Sequence, residues 1–207
     1  EFGKGKKVNK LPFPRIKYKE SLEKYGTDKP DLRNPIQLFD VTKIFKSEDV
    51  KLKIFKDIIG KGGIVKAIPV PNTFSKPRSF FDGLNNWAIS EGASGLAYIT
   101  FEKTKNKIVG KGPVAKFFSE SAILALMKNC KITEKDSVFF VCNKKKEAIK
   151  FSGIARQKIA EELKLIDEKR FHFCWITDYP MYEYDEKEKK IDFSHNPFSM
   201  PQAEIND

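Results

Sequence analysis

Phe171 to Ser199 reads FHFCWITDYPMYEYDEKEKKIDFSHNPFS, and the reading of the whole chain is organised around this stretch. Phe171 to Thr177 is rich in aromatics and contains neither Gly nor Pro, which predicts a strand. Both of its alternating faces are mostly apolar, so the strand is expected inside a sheet covered on both sides. Asp185 to Lys190 is too charged to bury and predicts a solvated turn between two strands. The return strand carries His195 and Asn196 to its end, where Pro197 stops further pairing. An imidazole and an amide delivered at a strand end are well placed to touch a ligand. His172, two residues before Cys174 on the same face, reads as a core histidine.

Working back from this stretch, Asn143 to Leu165 predicts a long helix, with Ser152-Gly153 as the place where it can break. Its Lys144, Lys145, Lys146, Lys150, Arg156, Lys158 and Lys164 read as a solvated basic face. Ser137 to Cys142, SVFFVC, is a strand. The helix before it runs from about Ser119 to Cys130, with Ile123, Leu124, Leu126 and Met127 inward. Ser119 and Glu120 suit its first turn. Gly95 to Phe101 is a β run that turns through lysine and asparagine into Lys107 to Val109, and Gly112-Pro113 breaks it off. Pro77 to about Glu91 is a helix capped by Gly92, with Phe80, Phe81, Leu84, Trp87, Ala88 and Ile89 as its apolar face.

Ile64 to Val70 is a strand, Lys51 to Ile58 alternates apolar residues with lysine as a half-buried strand does, and FDVTKIF is a short strand with a turn after it. Gly60-Lys61-Gly62-Gly63 then joins two strands. It lacks the spacing of a phosphate-binding loop and leads into no helix, so it is read as a turn. The order argues for an α+β fold, an antiparallel sheet with helices packed on one face. Nearer the start, Tyr18 to Tyr25 is a short helix ended by Gly26. Asp28 and Asp31 look like a carboxylate pair, but Asp beside Pro in a turn bonds its own backbone, and that is the reading adopted. Residues 1 to 12 carry no periodicity.

The 207 residues are 40% hydrophobic with 18 Phe, enough for a sizeable core. Against 28 acidic residues stand 39 basic ones, a net charge of +11, which favours a polyanionic partner, RNA ahead of membrane. The same excess also fits a generally lysine-rich composition. Cys130, Cys142 and Cys174 are widely spaced in apolar surroundings, so they read as core packing in a reducing compartment, with no metal or nucleophile role. There is no run of membrane-spanning length and no signal-peptide pattern. The abrupt ends at Glu1 and Asp207 read as cut points in a longer protein.

DYPMYE followed by SHNPFS resembles a segment of the catalytic domain of bacterial-type aspartyl-tRNA synthetases, which are class II aminoacyl-tRNA synthetases. FPRIKYKESLEKYGTDKPDLRNP, from Phe13 to Pro35, resembles another segment, and GASGLAYI and GPVAKFFSE resemble a third. The three keep the family's order and approximate spacing over nearly the whole chain. The resemblance implies an α+β insertion domain over 36–152, of the kind also found in the B subunit of the tRNA-dependent amidotransferase. It implies catalytic-domain segments over 1–35 and 153–207, pieces of the family's antiparallel catalytic sheet.

It further implies a cytoplasmic, homodimeric parent enzyme that activates aspartate with ATP and Mg²⁺ and passes it to tRNA. On this reading His195 contacts the substrate aspartate, with Asn196 standing where many members carry a second His. Asn donates a hydrogen bond but carries no charge. Asp178 and Glu183 order the hairpin behind the pocket. No catalytic residue and no metal ligand are expected in this fragment, which is expected to hold neither ATP nor Mg²⁺ and to be inactive by itself. The alternative is a non-catalytic basic α+β module that binds RNA or protein. The 171–199 hairpin separates the two, because a free-standing insertion domain would not need it, and the amidotransferase reading fails at the same place.

Overall fold

Consecutive apolar residues at Val138-Phe139-Phe140-Val141 give the central strand two buried faces, and the architecture follows from that. A computed structural model of the chain describes residues 3, 5–104, 107–185 and 188–194. In chain order the strands and helices are β1 (Lys7–Val8), β2 (Arg15–Lys17), α1 (Tyr18–Tyr25), β3 (Phe39–Asp40), α2 (Thr42–Lys46), α3 (Lys53–Gly60), β4 (Ile64–Val70) and α4 (Arg78–Ser90). There follow β5 (Ala97–Lys103), β6 (Ile108–Lys111), α5 (Glu120–Cys130), β7 (Ser137–Asn143), α6 (Lys145–Glu162), β8 (Arg170–Phe171), β9 (Trp175–Thr177), β10 (Tyr182–Asp185) and β11 (Lys190–Phe193).

The central sheet has the order β3-β4-β7-β5-β6, and every pairing in it is antiparallel. The α+β antiparallel fold is therefore as expected, but helices cover both faces. Val138 and Phe140 of β7 join Val65, Ala67, Ile99 and Phe101 in one core cluster, closed by Phe45 of α2, Ile59 of α3 and the inner face of α5. Phe139 and Val141 point the other way into a second cluster, with Phe81, Leu84 and Ala88 of α4 and Ala148, Ala155 and Ile159 of α6. A single helical layer would leave one of these apolar faces in water, at about 1.5–3 kcal/mol for each large side chain.

Several local expectations change. Lys51 to Ile58 does not form a strand; residues 53–60 are helix α3, because Phe55 and Ile59 share one helical face toward the core while Ile54 is exposed. Phe39–Asp40 is a strand, but α2 takes the rest of FDVTKIF. The Gly60–Gly63 turn thus leaves a helix, and it still leads into a strand. Leu124 is exposed on α5, although Ile123, Leu126 and Met127 are buried. The expected helix end at Gly26, the Ser119 cap accepting from the Ala122 N–H at 3.1 Å, and the strand from Ile64 to Val70 all hold.

Helix α6 runs unbroken through Ser152-Gly153 because that glycine serves a contact and not a bend. A Cβ on Gly153 would lie 2.7 Å from the Gly26 carbonyl oxygen. Gly26, with φ of 74°, ends α1 in the left-handed conformation that a β-carbon disfavours. The two backbones meet at this point. Arg156, one turn further along α6, is only 2% exposed, not part of a solvated basic face. Its guanidinium donates to the carbonyls of Ile36 (2.6 Å), Asp31 (2.9 Å) and Asn34 (2.9 Å) and lies 5.1 Å from the centre of the Tyr25 ring. Burial lowers its pKa to about 10, still above neutral pH, so it stays a cation. From β4, the buried Lys66 donates to the Glu23 carbonyl at 3.1 Å. A glycine contact, an arginine and a lysine thereby fasten the segment around α1 to the central sheet.

Candidate functional site

The candidate site lies where the two ends of the chain meet. Arg15, Ile16 and Lys17 of β2 pair in parallel with Trp175, Ile176 and Thr177 of β9. Arg170–Phe171 pairs with Lys7–Val8 in the same sense. Phe171 to Thr177 is therefore two short strands, each partnered by the N-terminal segment and not by the return strand. The hairpin is confined to β10 and β11, with Tyr182 opposite Phe193. One of the two faces expected to be covered is open: Phe173 is 50% and Trp175 60% exposed, while His172, Cys174 and Ile176 on the other face are half-buried; Ile191 in the return strand is 72% exposed. Sequence alternation reports that these side chains are apolar; among the described residues the ring of Phe13, 5.5 Å from that of Phe173, gives only partial cover.

Parallel pairing brings the ends of β2 and β9 side by side, and each strand is followed by a polar group. Lys17 and Asp178 form an ion pair at 3.2 Å, both largely exposed, so it contributes no more than about 1 kcal/mol. Asp178 has φ of 58°, a left-handed turn that Asp tolerates better than most residues, and this redirects the chain from β9 toward the hairpin. Tyr18, the first residue of α1, donates its hydroxyl to Glu183 Oε1 at 3.0 Å. Its ring lies 5.0 Å from that of Tyr179. Burial is the main reason the Tyr18 phenol is pushed up to about 12, and the Glu183 hydrogen bond and negative charge add to it. Tyr18 is thus a proton donor throughout the neutral range. Asp178 and Glu183 thus bond to the consecutive residues Lys17 and Tyr18, which ties the hairpin to the N-terminal segment.

At the far end of the hairpin, Ser194 is held twice. Its N–H donates to the Met181 carbonyl at 3.2 Å and its hydroxyl donates to the Pro180 carbonyl. His195 and Asn196, expected at this strand end, lie outside the described residues. Asp31 does what an aspartate in a turn does: it accepts from the backbone N–H of Arg33 (3.0 Å) and from its guanidinium. Those donors hold its carboxyl below the usual range. His172 is half-buried. The three thiols are raised by burial, Cys130 to about 12 and Cys142 to about 11, which makes them poor nucleophiles. Among the described residues no group of three or more His, Cys, Asp or Glu could hold a metal ion, and no helix is long and apolar enough to cross a membrane.

Sequence reading missed Lys17, Tyr18 and Arg156. The first two carry no motif of their own, and parallel pairing of segments some 160 positions apart alone brings them to the hairpin. A buried arginine in a lysine-rich helix leaves one usable sign, an Arg among Lys.

Residues 55–152 match the family model described as the GAD domain. Across 205 residues, 99% of the chain, the sequence is 51% identical to the aspartate–tRNA(Asp/Asn) ligase of Methylocella silvestris, covering 33% of that protein. It is 52% identical over 98% of the chain to the same-named ligase of Pelagibacter ubique (34% of that protein), and 54% identical over 96% of the chain to that of Rickettsia bellii (32%). The chain thus spans about a third of the length of the curated relatives it matches. Nearly the whole chain is similar to a segment of aspartate–tRNA(Asp/Asn) ligases, and its central residues 55–152 match the GAD domain model.

Proposed function

We propose that this chain is part of an aspartate–tRNA ligase, which joins aspartate to tRNA through an aspartyl-adenylate made from ATP. The observation that carries this reading is identity of 51–54% to three such ligases along nearly the whole chain, hairpin included. The alternative, a free-standing RNA- or protein-binding module, accounts for the central sheet alone and leaves residues 170–194 without a purpose. The division follows: 1–35 and 153–207 belong to the catalytic domain and 36–152 to the insertion. The insertion's folding unit extends past residue 152, because Ala155, Ile159 and Ala160 are buried in its second core cluster. The whole enzyme is expected to be a cytoplasmic homodimer. The relatives are named for both tRNA(Asp) and tRNA(Asn), and the same dual range is proposed here.

In this reading His195 and Asn196 bind the substrate aspartate. An imidazole N–H donating to a carboxylate contributes about 1.5–3 kcal/mol. The Ser194 bonds to Met181 and Pro180 bear on the reading by fixing the residue just before them. Asp178, with Lys17, and Glu183, with Tyr18, keep the hairpin in place. The carboxylates of Asp178 and Glu183 at the base of the hairpin are engaged by Lys17 and Tyr18. In this reading ATP and Mg²⁺ are held by the remainder of the enzyme.

The test is a His195→Ala substitution in the full-length ligase. A fall of about ten- to hundredfold in kcat/KM for aspartate is expected, with the KM for ATP and the Tm little changed. Equal losses toward both substrates with a lowered Tm would remove His195 from the aspartate pocket. The 207-residue chain alone, assayed in parallel, is expected to show background ATP–pyrophosphate exchange.

A further inference from the structure

Edge strand β6 separates two clefts on the central domain. One, of about 450 Å³, is lined by Phe74, Lys76, Arg78, Thr100 and Lys111. The other, of about 490 Å³, takes in Lys107, Lys116 and Glu120, and the two share Lys111 and Gly112. Together they line up five cationic side chains against a single carboxylate, which Lys107 engages at 2.8 Å. Arg78 meets Asp82 at 3.2 Å and Lys111 meets Glu102, but all four are exposed, so those pairs cost little to open for a competing anion. Beside the cations stands Phe74, a phenylalanine 53% exposed in a chain that buries many of its aromatics.

We propose that this double cleft is a binding surface for single-stranded RNA, the phosphates running along Lys76, Arg78, Lys111 and Lys116 with an unstacked base on Phe74. A row of cations tracks a phosphate backbone, and an adjacent aromatic face takes a base of any identity, at about 1–3 kcal/mol per stacked base. An acidic protein surface would engage the cations but has no purine or pyrimidine ring to stack on Phe74, and competition by poly-glutamate separates the two. Lysines on an edge strand also prevent pairing with other chains. That role involves Lys111 and the adjacent Lys107 only; Lys76, which lies over the Phe80 ring at 5.7 Å, Arg78, which pairs with Asp82, and the exposed Phe74 lie before and on α4, away from that edge. The surface goes beyond the proposed ligase function: it lies on the central domain, away from the hairpin, and does not depend on that reading.

The test is fluorescence anisotropy of a labelled 12-nucleotide oligouridylate with the 207-residue chain across a salt series. Binding that weakens with salt is expected. The triple variant K76Q/R78Q/K111Q should weaken it at least tenfold and flatten the log–log salt slope by about 2, from three contacts at about 0.7 each. F74A should weaken it a few-fold and leave the slope unchanged. The control K144Q/K145Q/K146Q removes the same charge from exposed positions at the start of α6 and should cost under about threefold. All substituted side chains are exposed, and an unchanged Tm shows that folding is intact. Equal losses from the two triples, competition by poly-glutamate as effective as RNA at equal charge, or no binding at low salt would each overturn the proposal. None of these outcomes touches aspartate activation, so the failure of this inference is distinguishable from failure of the ligase reading.

Discussion

Strand β7 and the segment from Arg170 to Thr177 are built from similar residues, Val-Phe-Phe-Val-Cys in one and Phe-His-Phe-Cys-Trp in the other, yet their surroundings are opposite. In β7 both faces are sealed, and Phe139 and Phe140 have almost no exposure. In the second segment the alternate residues Phe173 and Trp175 are half exposed or more. An apolar run states a demand for cover. Whether cover is supplied depends on what packs across it. Helices α4 and α6 lie over one face of β7 and α2, α3 and α5 over the other, while among the described residues β8 and β9 are paired by the short strands β1 and β2 and touched by α1 and Phe13.

The widest separation of the two regions should appear on truncating an aromatic in each. Phe139→Ala is expected to cost about 3–5 kcal/mol, through lost burial and a cavity between β7 and α4. Trp175→Ala should stay within about 0.5 kcal/mol, as for other exposed sites. Urea denaturation of both variants reads this directly; comparable losses would mean that the 170–177 segment is as well covered as the sheet.

A smaller effect sharpens the boundary between the regions, because it reverses sign between two helical glycines. Gly83→Ala on α4 meets nothing within 4 Å and should stabilise by about 0.5–1 kcal/mol. Gly153→Ala gains the same helix propensity but drives a methyl into the Gly26 backbone, and should destabilise by about 1–3 kcal/mol on balance. Thermal melts of the pair decide it, and stabilisation by both would dissolve the proposed tight contact of α1 with α6.

The smallest expected effect lies in the exposed region itself. Tyr18→Phe removes the hydrogen bond to Glu183 and should cost about 0.5–1.5 kcal/mol, while leaving the central sheet intact. The phenol of folded Tyr18 titrates near 12, above the ordinary 10. The stabilisation that depends on its proton is therefore full below pH 10 and disappears as pH rises from 10 through 12. Ultraviolet titration should show one late tyrosine that Tyr18→Phe deletes and Glu183→Gln moves back toward 10. A wild-type curve with no tyrosine titrating later than the others would contradict the contact.

What the amino-acid sequence determined by itself was the set of locally encoded elements. The Gly26 helix end, the Ser119 cap, the helix after Pro77 and the strands at Ile64–Val70 and Ser137–Asn143 rest on capping chemistry, glycine conformation and β-branched or aromatic runs, which act within a few residues. The motifs of the hairpin were legible for the same reason. The second helical layer, the burial of Arg156, the conversion of 53–60 into a helix and the delivery of Lys17 and Tyr18 to Asp178 and Glu183 were decided only in three dimensions. Each depends on groups far apart in the chain. The carbonyls that satisfy Arg156 lie more than a hundred positions before it, and the strands that place Lys17 beside Asp178 are drawn from the two ends of the chain. Local preference carries no record of such partners, because the energy that selects them arises only when the surfaces meet.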